Sequence, residues 1–333
     1  MAVNWTEKTI SGLNRDASLI ILIYYMIISG VIILSNALVF VAFIKNKTLR
    51  TLTNYYVINL AICDMTVGLY HIYCTYMQYW MSYADHKISY DCIACCVAVF
   101  LSAGTSLYTL LIITVERYMK ILHPLNYNLF WNKKTAIISL TIIWISMSIA
   151  SSSLIISNRW HSGIHCMVFD VATRPVFYGV CLPLIFMAIT VILALYSRIF
   201  WIARQQKKAI ESTMIQESHH TRKEHKTAIM MFLLVGWLII AWMPFTVIST
   251  YRIIQEDITQ DFKSFQTGGV FLLENICHGF IYTNSFINVF IYDWKCPEWR
   301  KSFRAIFRSL LCWKNNSIVP QQGNIVPTKT SKY

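Results

Sequence analysis

The chain has 333 residues and a formal net charge of +13; 56% of its residues are hydrophobic and only 14% charged, against about 45–50% and about 25% in soluble domains. So few charges cannot cover a water-soluble fold of this length, so part of its solvent is lipid, which excludes a cytosolic enzyme, a disordered scaffold and a disulfide-stapled secreted domain. Ten cysteines are too dilute for a disulfide framework.

A bilayer core takes about 20 consecutive apolar residues as helix, and the chain supplies seven such stretches. Residues 19–44 carry no charge and are too long for a signal peptide, so they read as a retained first span. Residues 52–80 contain a single charge, Asp64, and residues 92–115, 135–157, 176–197 and 227–251 contain none. Residues 268–292 contain only Glu274. No internal repeat is visible, so an inverted-repeat transporter gains no support. The expected fold is all-α: a bundle of seven transmembrane helices over residues 19–292, after a tail of residues 1–18.

Counted over alternate loops, 22 of the 29 basic residues fall on one side, among them Lys45, Lys47, Arg50, Lys133, Lys134 and the cluster from Arg198 to Lys226. That side is cytoplasmic by the positive-inside rule, which puts the N-terminus outside. Its net charge is about +16 and that of the outer side about −2, so placement accounts for the whole excess and nucleic acid is not needed to explain it. Asn4-Trp5-Thr6 is then a glycosylation acceptor in the outer tail, whereas Asn46-Lys47-Thr48 lies on the inert side.

Beyond the seventh span, residues 293–313 read as a short amphipathic helix with Trp299, Phe303, Ile306, Phe307 and Leu310 on one face and Arg300, Lys301, Arg304 and Arg308 elsewhere. Such a helix lies on the inner leaflet with its cations among anionic headgroups. Cys312 is a candidate for palmitoylation or a free thiol. Residues 314–333 are polar and read as a disordered tail.

A carboxylate near mid-span is costly and faces the bundle interior with partners. Asn36, Ser106, Asn284, Ser285 and Asn288 stand at helix-interior positions of other spans. Their oxygens and amides suit either a hard cation such as Na⁺ at Asp64 or a hydrated polar network without an ion. No nucleophile–base set, phosphate loop or metal-ligand cluster is apparent, so no enzyme is expected.

These residues carry a resemblance to the rhodopsin-like (class A) G-protein-coupled receptors. Its marks are Asn36, the run Asn59-Leu60-Ala61-Ile62-Cys63-Asp64, Cys92, Glu116-Arg117-Tyr118, His123-Pro124-Leu125, Trp144, Trp242-Met243-Pro244-Phe245 and Asn288 to Tyr292, in order and at family spacing. Tyr196-Ser197-Arg198-Ile199-Phe200 and residues 284–303 look most like amine and trace-amine receptors. The resemblance implies a plasma-membrane receptor that binds an extracellular small molecule and activates a heterotrimeric G protein. Receptor kinase and arrestin would act through Ser212, Thr213, Ser218, Thr221 and the tail. It implies that Glu116 holds Arg117 at rest, that Tyr196 and Tyr292 meet near Arg117 on activation, and that Leu125 enters a pocket of the G protein. It also implies a Cys92–Cys166 disulfide on the oxidising face. Cys95 and Cys96 compete for that role only weakly, and Cys63, Cys74, Cys181 and Cys277 read as packed apolar residues.

The same resemblance lines a ligand pocket with His71, Thr75, Val99, Phe100, Ala103, Val180, Trp242, Phe245, Thr246, Ser249, Glu274, His278 and Tyr282. Amine receptors carry an aspartate where this chain has Val99, so the usual partner of a buried ammonium is absent. Glu274 either anchors a cation at a shallower level or faces the aqueous mouth as a solvated charge. Tyr282 stands where opsins carry the retinal lysine, and the seventh span has no lysine, so no retinal Schiff base can form. His71, His86, His161, His165 and His278 fall on the outer side or upper cavity, which opens a proton-sensing alternative. Val289 replaces the proline of the seventh-helix motif, Ala188 stands where relatives have the fifth-helix proline, and Leu238 and Ala241 replace a phenylalanine and a cysteine. These departures keep a constitutively active or non-signalling seven-helix decoy open as an alternative to a switching receptor.

Overall fold

The computed structural model describes residues 15–81, 88–159, 168–213, 219–259 and 269–316. Eight principal helices follow in chain order: α1 Arg15–Lys45, α2 Leu52–Met81, α3 Ile88–Leu122, α4 Lys133–Ile156, α5 Leu182–Thr213, α6 His219–Thr259, α7 Gly269–Lys295 and α8 Pro297–Asn316. Among the described residues no strand forms beyond one bridge between Asn158 and Ala172. Among the described residues, six of the first seven helices are long and apolar enough to cross a membrane, and α7 packs between α1 and α6 to close the bundle.

The packing is inverted relative to a soluble protein. Ile20, Ile27, Leu34, Ile137, Ile145, Phe186 and Val247 point outward, while Asn36, Asn59, Asp64, Thr109 and Asn288 are buried. Lipid leaves apolar side chains no incentive to turn inward, so polar side chains and close contacts bind the helices together. Asn59 of α2 donates to Thr109 of α3 at 2.9 Å and accepts from the Trp144 indole of α4 at 3.0 Å, joining three spans. Gly104 lets α3 approach α4 so closely that a Cβ there would collide with the Met147 side chain.

Helix ends and irregularities have local causes. Asn132 caps α4 by accepting from the amides of Lys134 at 2.9 Å and Thr135 at 3.1 Å. Pro183 lacks an amide hydrogen and crowds the carbonyl four residues earlier, and the chain makes a π-helical turn over Phe177–Cys181 just before it. The helices also outrun the apolar stretches. Once nucleated, a helix continues through polar residues, so α6 reaches Thr259 rather than stopping near residue 251, and Arg252 lies within it.

Candidate functional site

At the end of the bundle that carries Arg117, the side chains form a closed ionic cluster. Glu116 and Arg117 are both buried, with Arg117 Nε 3.3 Å from Glu116 Oε2. The Thr53 hydroxyl of α2 lies 3.0 Å from both Glu116 oxygens and accepts from Arg117 Nη2. Tyr127, on the short helix Pro124–Phe130, donates to Glu116 at 2.5 Å. Pro124 starts that helix, where its missing amide hydrogen costs nothing, and Leu125 beside it is 92% exposed. Tyr118 is half-buried at the rim.

Tyr196 is buried near Thr114 and Arg117, and Tyr292 is buried with its hydroxyl unpartnered. Tyr292 stacks on Trp299 of α8, ring centroids 5.8 Å apart. Trp299, Phe303 and Ile306 are therefore buried against the bundle, and Phe307 of the predicted apolar face points out. Asn46, predicted only as an inert acceptor, donates to Ser302 at 2.7 Å and ties α8 to the end of α1. Cys312 lies in the helical part of α8.

Midway along the bundle, Asp64 is buried, accepts from Asn288 at 3.2 Å and has Ser285 beside it. Asn36 donates to the Ser285 carbonyl at 2.8 Å and to the Ile32 carbonyl at 3.0 Å. Ser106 is buried, and Asn284 Oδ1 and Thr105 Oγ1 are buried oxygens without a hydrogen-bond partner. That donor set is all oxygen, which suits a hard cation.

At the opposite end, rings and charges gather where α1, α2, α6 and α7 meet. The His71 ring lies 4.2 Å from Tyr282 and 4.6 Å from Tyr25, and Ser29 lies 3.0 Å from His71 Nδ1. His278 reaches the hydroxyls of Tyr25 and Tyr282 through its two nitrogens, at 3.3 Å each, and its ring stands 5.0 Å from Phe245. One turn further along α7, Glu274 is 3% exposed and paired with Arg252 of α6, Nε to Oε2 2.9 Å, while Ser249 donates to its other oxygen at 2.8 Å.

This corrects the reading of Glu274 as a solvated charge at the mouth. The predicted sixth span stopped one residue short of Arg252, so the cation was placed in a loop. Other predicted pocket residues disperse. Val180 lines a cleft of about 400 Å³ between α4 and the start of α5, with Ile149, Ala150 and Met187. Phe100 is packed with Met147 and Phe177, and Thr246 spends its hydroxyl on the Trp242 carbonyl at 2.8 Å. Thr75, Val99, Ala103 and Trp242 are half-buried.

The cysteines need a second correction. Cys74 of α2, expected as a packed thiol, and Cys95 of α3, expected only as a weak competitor for the Cys92 bridge, form a disulfide across 6.2 Å between Cα atoms, a spacing that bridging permits. Nothing in the linear sequence pairs them, because helix rotation alone decides which cysteines face each other. Cys92 is also disulfide-bonded; Cys166 lies outside the described residues, as do Asn4, His86, His161, His165 and Ser218. Cys63, Cys181 and Cys277 are buried thiols. The replaced motif positions Ala188, Leu238, Ala241 and Val289 are all buried in packed surroundings. Tyr25, Ser29 and Arg252 escaped sequence reasoning; the one signal was a lone arginine eight residues past Pro244.

A family model described as "7 transmembrane receptor (rhodopsin family)" matches residues 35–292. Among curated proteins, the human histamine H2 receptor is 26% identical over 97% of this chain and 89% of its own length. The chicken adenosine receptor A2b is 27% identical over 86% of this chain and 88% of its own. The human adenosine receptor A2a is 29% identical over 83% and 69% respectively.

Proposed function

Because the chain belongs to the rhodopsin family of seven-transmembrane receptors, we propose that it binds an extracellular small molecule and relays it to a heterotrimeric G protein by opening the cluster around Arg117. It is a multi-pass receptor of the plasma membrane and not an enzyme. Its relatives are receptors for histamine and adenosine, which supports a small ligand. The basic loops put the Arg117 end in the cytoplasm and the N-terminus outside.

The observation that carries the reading is the closed cluster of Glu116, Thr53, Tyr127 and Arg117 beside the exposed Leu125. A buried guanidinium paired with a carboxylate of its own chain is a resting arrangement. An outward movement of α6 would open room for a partner, and Arg117 would exchange Glu116 for contacts that the partner completes. Tyr196, already beside Arg117, would support the released side chain, with Tyr292 joining it.

Asp64, Asn288, Ser285 and the unpartnered Asn284 oxygen fit a sodium ion, which would stabilise the resting arrangement. Asn4 and Cys312 are the proposed glycosylation and acylation positions. Lipid packs on the outer surface, and the hydroxyls of the third cytoplasmic loop offer few sites for kinase and arrestin.

The test is Leu125→Asp. An isolated exposed leucine contributes nothing to the resting fold, so surface expression should equal that of the wild type while G-protein recruitment falls about tenfold or more, as for a hot-spot contact. Recruitment unchanged at equal expression would remove Leu125 from the G-protein contact and leave this end of the bundle without its proposed role.

A further inference from the structure

Glu274 is a buried carboxylate on the ring-lined side of the bundle opposite Arg117, and among the described residues no other acid is buried at that end. Its partner Arg252 is equally buried. A buried pair adds little stability over apolar packing of the same volume, so stability does not account for keeping two charges in this wall. We propose that Glu274 is the anchor for an organic cation and that Arg252 is its internal competitor, the resting occupant of the same site. This rests on the receptor reading above and names the ligand class for it.

The two side chains differ in how far they can move. Glu274 is held twice across the helix interface, by Ser249 at 2.8 Å and by Arg252 at 2.9 Å. Losing Arg252 leaves the Ser249 hydrogen bond to it in place. Arg252 sits in the last third of α6 on a long side chain that can swing toward water while its stem stays packed. A cation arriving at Glu274 replaces one positive charge by another, so the buried site stays neutral throughout. An anion would have to pull Arg252 away from an acid that Ser249 keeps in place, leaving a buried carboxylate beside a second negative group.

The surroundings point the same way. One turn below Glu274, His278 stands 5.0 Å from both Phe245 and Tyr282, and Tyr25 closes the group. Aromatic faces attract cations and receive apolar substituents, so a charged nitrogen at Glu274 would set its organic body on these rings. Val99 puts no acid on α3 at the depth where amine receptors carry one, and Asp91, two turns earlier on α3, accepts from Tyr73 at 3.3 Å in an exposed position. Displacing Arg252 also removes the ionic tie between α6 and α7 at this end and leaves the Ser249 hydrogen bond; α6 is the helix that must move to open the Arg117 cluster, so occupancy favours release.

The test uses purified full-length receptor in detergent, a labelled quaternary phenylalkylammonium probe and its neutral tert-butyl isostere, with no G protein present. Arg252→Gln should bind the cation about tenfold tighter than the wild type, because the resting occupant no longer taxes the site. Adding Glu274→Gln to that variant should abolish the gain, and the neutral isostere should bind all forms alike. Arg252→Lys, which keeps the buried charge, should fall between wild type and Arg252→Gln and covers the case in which the glutamine variant does not fold. The swapped pair, Arg252→Glu with Glu274→Arg, should remain as thermostable as the wild type yet lose the cation. A cation that binds with the same affinity whether or not Glu274 is present, or a swapped pair that binds it as the wild type does, overturns the assignment. In a parallel assay in cells expressing G protein, Glu274-dependent binding of the cation with no G-protein recruitment would overturn the coupling and leave this site standing. Arg117-dependent recruitment with no Glu274-dependent cation preference would do the reverse.

Discussion

Replacing Glu116 by Gln removes the charge that holds Arg117 while keeping the shape of the side chain. In the resting cluster Glu116 lies 3.3 Å from the guanidinium, accepts from Tyr127 at 2.5 Å and offers both oxygens to Thr53 at 3.0 Å. Glutamine keeps one acceptor, so the ion pair is lost and one hydroxyl loses its charged partner. A hydrogen bond to a charged group contributes about 1.5–3 kcal/mol. In the active arrangement Arg117 has already left, so nearly all of that loss falls on the resting state. A shift of about 2 kcal/mol changes a two-state ratio about thirtyfold. A receptor that is about 1% active without ligand would then become about 20–25% active. The assay is nucleotide exchange on G protein in isolated membranes, without ligand, at surface expression matched through an N-terminal epitope. Exchange by Glu116→Gln within twofold of the wild type, or below it, would refute the idea that this cluster stores the resting state.

Asn59→Leu should lower the thermal stability of the purified receptor by about 2 kcal/mol, from two interhelical bonds at about 0.6 kcal/mol each plus an orphaned indole N–H. Trp144→Phe should cost about half as much. A thiol-reactive fluorophore reads both, because Cys63, Cys181 and Cys277 are buried until the bundle opens, and equal melting of Asn59→Leu and wild type would contradict the packing. At Asp64, replacing 150 mM potassium by sodium should stabilise the wild type by about 1.4 kcal/mol if half-saturation lies near about 15 mM. Asp64→Asn should melt alike in both salts, and a sodium effect surviving in that variant would place the ion elsewhere.

The bundle was legible because lipid enforces it: apolar stretches near 20 residues long have one solution in a bilayer, and the seven expected spans match α1 to α7. The Glu116–Arg117 pair was legible because its partners are neighbours in sequence. Thr53 and Tyr127, which complete the cluster, come from α2 and a short helix and leave no trace in the spacing. The ring cluster failed similarly. His71 and His278 were visible as polar residues in apolar runs, but Tyr25 is an aromatic in a lipid-facing helix and gives no signal until α1 is rotated against α2 and α7. Arg252 was lost to a boundary error, since hydropathy marks where hydrocarbon ends and not where the helix does. The Cys74–Cys95 bridge required knowing which faces of α2 and α3 meet.

The most direct test of the account is G-protein recruitment in living cells by the wild type and by Arg117→Glu, matched for surface expression, measured basally and with a panel of organic amines. The account predicts recruitment by the wild type that Arg117→Glu loses in every condition, because the charge that Glu116 holds at rest is the one the G protein needs. Recruitment that survives Arg117→Glu would contradict it, as would its absence from both forms even with Glu116→Gln opening the cluster, and a non-signalling bundle would then describe the chain better.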